Sequence, residues 1–445
     1  MKQQLVKQQN LLQQTLQAIL DEAKKLGASA AEVSASLGEG FTTNVRKSEV
    51  DTLEYLRDKN VAIAVYFDQA KGVASTTDIS ESAWQETLAA ACRIAKYTQA
   101  DPCHGLADKA RLATNYPDLD LYHPWNIEPT QAIELAKACE AYALNYDKRI
   151  NNSEGASIST YENFYAYANS HGFIGYVPTT RHSISCTVVA QANQDMQRDY
   201  YYSTSRLANQ LENGEEIATI AAQKTLARLQ PRRVKTCEVP VLFSNELSRG
   251  LLGTFVAAIS GGNIYRKSSF LCDKLEQQIF AKDFSIYEEP LLKQALGSSP
   301  FDGEGVATQK QFFLQQGILK QYVLGSYSAR KLGMQTTGNA GGIHNLQITS
   351  TQESLSELFK KMHNGLYVTE LMGQGIRLIT GDYSRGAAGF WIENGEIAYP
   401  VAEITIAGNL ADMYKNILAV GGDIDKRGSI QTGPILIEKM TVAGE

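Results

Sequence analysis

Apolar residues recur at three- and four-residue spacing along Leu5–Leu26, where Leu12, Leu16, Ile19, Leu20, Ala23 and Leu26 share a face and Gly27 stands at the place of a left-handed cap. That spacing predicts an amphipathic helix. From Ala31 to Thr77 the pattern changes to an alternation rich in Val, Thr and Tyr, which predicts strands parted by turns at Leu37–Gly40, Arg57–Asn60 and Asp68–Gly72. A second helix is predicted from Ser80 to Tyr97, with Ser82 and Gln85 at capping-box spacing. Pro102, Pro117, Pro124 and Pro129 mark a connector running over the surface. A helix follows over Ala132–Tyr146, and strands rich in Tyr, Thr and Val fill Gly155–Ser203. Asn213 and Glu216 then open a helix that ends before Pro231.

Beyond residue 233 the periods alternate again. Val239–Phe243 reads as a strand, and from Ser244 the residues Leu247, Leu251 and Phe255 recur every four, predicting a core helix capped by Ser244 or Asn245 and stopped at Gly261 and Gly262. Hairpins are expected about Gln316–Gly317 and Asn394–Gly395, and helical text is otherwise confined to Ser354–Met362 and Leu410–Ala419. Most of the 35 glycines lie in this half, which demands many tight turns. The expected fold class is α+β. It divides into an N-terminal α+β unit (1–100), a connector with a middle α+β unit (101–232), and a C-terminal unit (233–445) dominated by a large antiparallel β-sheet.

Composition narrows the function classes. A formal charge of −6 argues against a sequence-independent grip on nucleic acid, and the densest basic run, Pro231–Lys235, reads as a solvated linker. The first residues carry no apolar stretch of signal-peptide length, no uncharged run is long enough to span a membrane, and the six cysteines follow no paired spacing. A cytoplasmic chain with free thiols is the expectation. None of the familiar hydrolase or nucleotide motifs is present, and the six histidines are far apart, so no catalytic and no metal-binding residue is assigned to this chain. Two glycine-rich stretches stand out. Gly338–Asn345 offers Asn339 and His344 as polar groups beside glycines that let backbone approach a ligand, and Thr380–Phe390 offers Asp382 and Arg385; together these four are the candidate peptide-binding residues.

Four long strings, Asn245–Leu271, Ser328–Asn345, Thr380–Val401 and Glu403–Leu410, resemble the PmbA branch of the PmbA/TldD family, and the resemblance extends over essentially the whole chain. It implies peptidase chemistry, alongside an older description of the family as modulators of DNA gyrase. In the TldD branch the segment matching the helix after Ser244 carries His-Glu-x-x-x-His, and a later Cys near the C-terminus completes a zinc site. Aligned on the shared Gly-Leu-x-Gly-x-Phe, which is Gly250–Phe255 here, Ser244, Asn245 and Arg249 occupy the three motif positions, and Asp423–Pro434 holds no Cys. These are degenerate metal-site positions. The resemblance therefore implies a subunit with no cofactor of its own, zinc in a TldD-type partner, a peptide or unfolded-protein substrate, and a homodimer in isolation. Its rivals are an autonomous metallopeptidase assembled from distant residues and a non-catalytic regulator of DNA gyrase or another partner. A guanidinium at position 249 calls for a carboxylate, carbonyls or open solvent around it.

Overall fold

A computed structural model describes residues 2–444, with side chains from residue 6 onward. In its first half, α1 (Lys2–Lys25) precedes β1 (Ala30–Arg46), β2 (Glu49–Phe67) and β3 (Ala70–Thr76), then α2 (Glu81–Tyr97). After the connector come α3 (Pro129–Tyr146), β4 (Ile150–Asn169), β5 (Ile174–Ala192), β6 (Asp195–Ser205) and α4 (Gly214–Ala227). The six strands form one antiparallel sheet in the order β3-β2-β1-β4-β5-β6, so β1 of the first unit pairs with β4 of the second along nearly its whole length. Alternate residues of β1, from Val33 to Val45, face the helices. α1 and α2 cover one end of that face and α3 and α4 the other, each helix contributing its apolar stripe to the core. Tyr165, Tyr167, Phe173 and Val177 on the opposite face pack against connector residues Leu112, Leu119 and Leu121 and against Phe301 and Val306. The connector is thus partly buried between the sheet and the C-terminal unit, and does not simply run over the surface.

The second half is built from β7 (Cys237–Phe243), α5 (Asn245–Ala258), α6 (Gly261–Tyr265), β8 (Ile286–Glu288), β9 (Gln311–Gln315), β10 (Ile318–Leu319), α7 (Ser326–Lys331) and β11 (Leu346–Ile348). It continues through α8 (Leu355–Met362), β12 (Gly365–Met372), β13 (Ile376–Arg377), β14 (Asp382–Glu393), β15 (Glu396–Asn409), α9 (Leu410–Lys415), β16 (Ile417–Val420), β17 (Ile430–Gln431) and β18 (Ile435–Ala443). The fold is α+β, and its C-terminal unit is rich in strands. Those strands divide between two sheets. β10-β9-β8-β11-β17 forms the smaller, while β12, β7, β18, β15 and β14 pair in a ring that the β12–β14 ladder closes. Within the ring only β7 and β12 run parallel. Val241, Phe243, Val368, Ile404, Ile406 and Val442 from the ring share one core cluster with Leu251, Leu252 and Phe255 of α5.

Several local expectations need correction. β1 runs straight through Leu37–Gly40 and β2 straight through Arg57–Asn60; the chain reverses at Lys47 and Ser48, both at positive φ (52° and 63°). Gly38 and Gly40 serve close strand approach, since a Cβ at Gly40 would lie 2.1 Å from the Thr160 carbonyl oxygen. The turn is held from afar by Glu140, fully buried on α3, whose carboxylate accepts the N–H groups of Lys47 (2.8 Å) and Ser48 (2.9 Å). α2 begins after Ser80, without the cap expected of Ser82. Gly261 opens the short α6 where a stop was expected, and Ile417–Val420 leaves the expected last helix to pair with β18. The reciprocal cap of Asn213 and Glu216 is present. All six thiols are free, and among the described residues no helix is long and apolar enough to cross a membrane.

Candidate functional site

The turn from β7 into α5 sets the degenerate positions at a helix start, against the loop that precedes β17. Ser244 caps α5, its hydroxyl accepting the N–H of Leu247 at 3.4 Å. The Asn245 amide donates to the carbonyl of Asp423 at 3.2 Å, and its oxygen accepts the N–H of Glu246. Arg249, one turn on, places Nη2 3.4 Å from Asp425 Oδ2 and donates to the Tyr202 hydroxyl at 3.1 Å. Asp425 lies inside Asp423–Pro434, the window in which the sister branch has its Cys. A guanidinium and a carboxylate therefore meet where the resemblance would bring zinc ligands together.

The pair belongs to a larger network. Arg427 reaches Asp425 Oδ1 through Nε (2.9 Å) and Glu246 through Nη2 (2.8 Å), donates to the Tyr202 carbonyl, and stacks over the Tyr201 and Tyr202 rings. Lys224 links Glu246 to Asp199, and Arg228 links Asp199 to Glu370. Four cations (Lys224, Arg228, Arg249, Arg427) thus face four carboxylates (Asp199, Glu246, Glu370, Asp425), and they tie β6 and α4 to α5, β12 and the loop before β17. Burial alone would raise the Asp425 carboxyl, but Arg427 and Arg249 outweigh it and hold it below the usual carboxylate range. Burial likewise disfavours the charged Arg427, and its carboxylate partners more than reverse that.

These residues do not fit zinc. The metal takes imidazole, thiolate or carboxylate ligands, whereas Ser244 is committed to a cap, Asn245 to a backbone carbonyl, and Arg249 cannot deprotonate. Of the nearby carboxylates, Asp425 is already bound by two guanidinium groups and Glu246 by Arg427 and Lys224. Among the described residues no group of three His, Cys, Asp or Glu side chains is arranged to hold a metal ion.

The candidate peptide-binding residues fall into two pairs. Asn339 and His344 converge on Glu288, which is fully buried: the Asn339 amide donates to both its oxygens (3.0 and 3.1 Å), Gln311 and the His344 backbone N–H donate as well, and His344 Nδ1 stands 3.7 Å away. Asn339 also accepts from Gln311 and Thr337, so its amide is committed within the fold. Asp382, exposed at the start of β14, accepts from Thr380 and Asn409, and Arg385 lies further along that strand. A hollow of about 570 Å³ lies between the end of α5, α6, α7 and the Gly338–Gly342 loop. Asn339, Gly341 and Gly342 line it, and neither Asp382 nor Arg385 does. The charged network was not anticipated from the sequence. Its partners are drawn from five separate segments, and the one available signal was an Asp and an Arg inside the window that lacks Cys.

Family models described as the first, central and C-terminal domains of the PmbA/TldA metallopeptidases match residues 31–95, 122–229 and 236–444. The chain is 48% identical over 442 residues to the metalloprotease PmbA of Escherichia coli O157:H7, covering 99% of this chain and 98% of that one. It is 47% identical to a metalloprotease PmbA homolog of Haemophilus influenzae, over 98% and 97% of the two chains. A crystal structure from Bacteroides thetaiotaomicron, described as a candidate modulator of DNA gyrase, superposes with a TM-score of 0.92 at 27% identity, over 97% of this chain and 99% of that one. With all three domains matched in order and the likeness to PmbA unbroken from end to end, this chain belongs to the PmbA branch of the PmbA/TldD metallopeptidase family.

Proposed function

We propose that this chain is the metal-free subunit of a cytoplasmic, heterodimeric zinc metalloprotease, acting with a TldD-type partner on unfolded or extended polypeptide. The observation that carries the reading is the Arg249–Asp425 ion pair, which fills the degenerate positions with a neutral, cross-braced network in place of ligands. In the partner, zinc would lower the pKa of a bound water for attack on a peptide carbonyl. The residues of this chain would shape and restrict the chamber around that centre. Gly341 and Gly342, at positive φ (97° and 126°) with open space where a Cβ would stand, present main chain to the hollow beside α5, as a surface for extended peptide requires. On this reading Asn339 and His344 fix the loop through Glu288, and Asp382 and Arg385 supply a separate charged contact along the substrate path.

The test is reconstitution. Mixing the purified chain with a purified TldD-type subunit gives a stable complex and peptide cleavage that neither chain shows alone. Zinc-dependent cleavage by this chain by itself, abolished by replacing a single histidine, would instead support an autonomous enzyme.

A further inference from the structure

A cleft of about 810 Å³ opens between the end of β6 and the loop that precedes β17, with the 292–296 loop and β11 forming its other walls. Volumes of this order hold small ligands or a short stretch of peptide. Its charges are one-sided. Arg206, 6% exposed, lines it together with the exposed Lys293 and Lys426. Arg181 is close by, donating to the hydroxyl of Thr204 on the cleft wall at 3.2 Å. Among the described residues none of these four cations has a carboxylate within ion-pair reach. Glu289, the acidic residue of the lining, is taken by Lys310, and Asp425, between Ile424 and Lys426, by Arg249 and Arg427.

Arg206 is the telling member. Three of its five N–H groups are spent on main-chain carbonyls: Nε on Ala295 (3.0 Å), Nη1 on Thr180 (3.1 Å) and Nη2 on Leu296 (2.9 Å). Those bonds fix the guanidinium at the cleft wall without cancelling its charge. Burial pulls it down to about 10 from 12.5, and Arg181 adds to that, yet it stays a cation at neutral pH. A buried charge is ordinarily matched by an opposite one, as Asp425 is by Arg427 in the neighbouring network. For Arg206 no described residue supplies the counter-charge, and two N–H groups are left to bind one from outside.

From this we infer that the cleft binds an acidic stretch of extended polypeptide, whose side-chain carboxylates are held by Arg206, Lys293 and Lys426. The amide side chains of Gln210, Gln347, Gln352 and Gln431 run along the lining, and each offers both donors and an acceptor to a peptide main chain. Nucleic acid fits less well. Tyr287 is the aromatic ring of the lining, and it is already packed against Phe312 and beneath Lys310, so bases find no free stacking surface there. The cleft is distinct from the hollow beside the glycine loop. The inference goes beyond the proposed pairing with a zinc-bearing subunit, because the binding belongs to this chain alone.

Fluorescence anisotropy of the full chain, without any partner, tests it with a labelled peptide of alternating Glu and Gly and with the same peptide carrying Gln for Glu. The Glu peptide binds saturably, at least about tenfold more tightly than the Gln peptide, and its affinity falls with added salt. Lys293→Glu with Lys426→Glu weakens it by at least about tenfold. Lys59→Glu with Lys235→Glu, exposed lysines that do not line the cleft, changes the net charge equally and leaves binding within about twofold of wild type. The Glu peptide also raises the melting temperature of the wild type, and Arg206→Gln abolishes that rise. Circular dichroism confirms that each variant folds, and the two lysine pairs decide the matter should Arg206→Gln not fold. Glu and Gln peptides bound alike, a Lys293 and Lys426 pair without effect, or inorganic phosphate or an oligonucleotide bound as tightly as the Glu peptide would each overturn the inference.

Discussion

Two buried polar clusters lie on either side of α5, and they are satisfied in opposite ways. At its start, charges are matched with charges: Arg249 and Arg427 on Asp425, Arg427 and Lys224 on Glu246. Beside the glycine loop the Glu288 carboxylate is surrounded mainly by neutral donors from Gln311, Asn339 and a backbone N–H. The first arrangement braces separate segments against one another and commits the Asp425 and Glu246 carboxylates to cations. The second shapes one loop and costs little electrostatic coupling to the rest of the chain.

The comparison can be broken most severely at Arg427. Arg427→Ala strips Asp425, whose side chain is 1% exposed, of its main partner and leaves Glu246 underbound. Removing one side of a buried ion pair costs about 3–5 kcal/mol, so urea denaturation should show a loss of that order. The next effect is in pH. Burial, partly opposed by the N–H groups of Ala340, Glu304 and Val306, pushes the Asp302 carboxyl up to about 6 from 3.8. A raised carboxyl stabilises the fold fully below its unfolded value and loses that contribution as pH climbs through 6. Between pH 4 and 7 this group should therefore withdraw roughly 2–3 kcal/mol, seen as the difference in pH slope between wild type and Asp302→Asn.

Asn339→Ala sharpens the contrast from the neutral side. Glu288 loses the donor that reaches both its oxygens, at a cost of about 1–3 kcal/mol. Because few charges are involved, this loss should change little with added salt, whereas that of Arg427→Ala should shrink only slightly, its pairs being largely buried. Smallest is Glu140→Gln, about 1 kcal/mol, since an amide oxygen can still accept one of the two turn N–H groups.

Where a signal is local, the sequence carried it. The caps at Ser244 and at Asn213 with Glu216, the stripe of α5 and the Asn394–Gly395 turn depend on neighbours within a few residues. Where the cause is distant, it was hidden. The Lys47–Ser48 turn has no glycine to announce it and is set by Glu140 on another element. Gly38 and Gly40 look like turn residues yet serve strand packing. Ile417–Val420 reads as helix until β18 is there to pair with it. At the candidate site, the misfit of Ser244, Asn245 and Arg249 to zinc was readable from residue type alone. Asp425 as the counterpart of Arg249 was not, because nothing along the chain relates positions so far apart.

The central proposal, that an ion-paired brace occupies the degenerate metal-site positions of this chain, is tested most directly by zinc titration calorimetry. The protein to use is the triple variant Ser244→His, Asn245→Glu, Arg249→His, beside wild type. The account predicts no tight zinc binding by either, since Asp425 remains held by Arg427 and the surrounding residues do not orient imidazoles. Tight, stoichiometric binding by the triple variant would show that the window around Asp425 still supplies a competent ligand, and would contradict it.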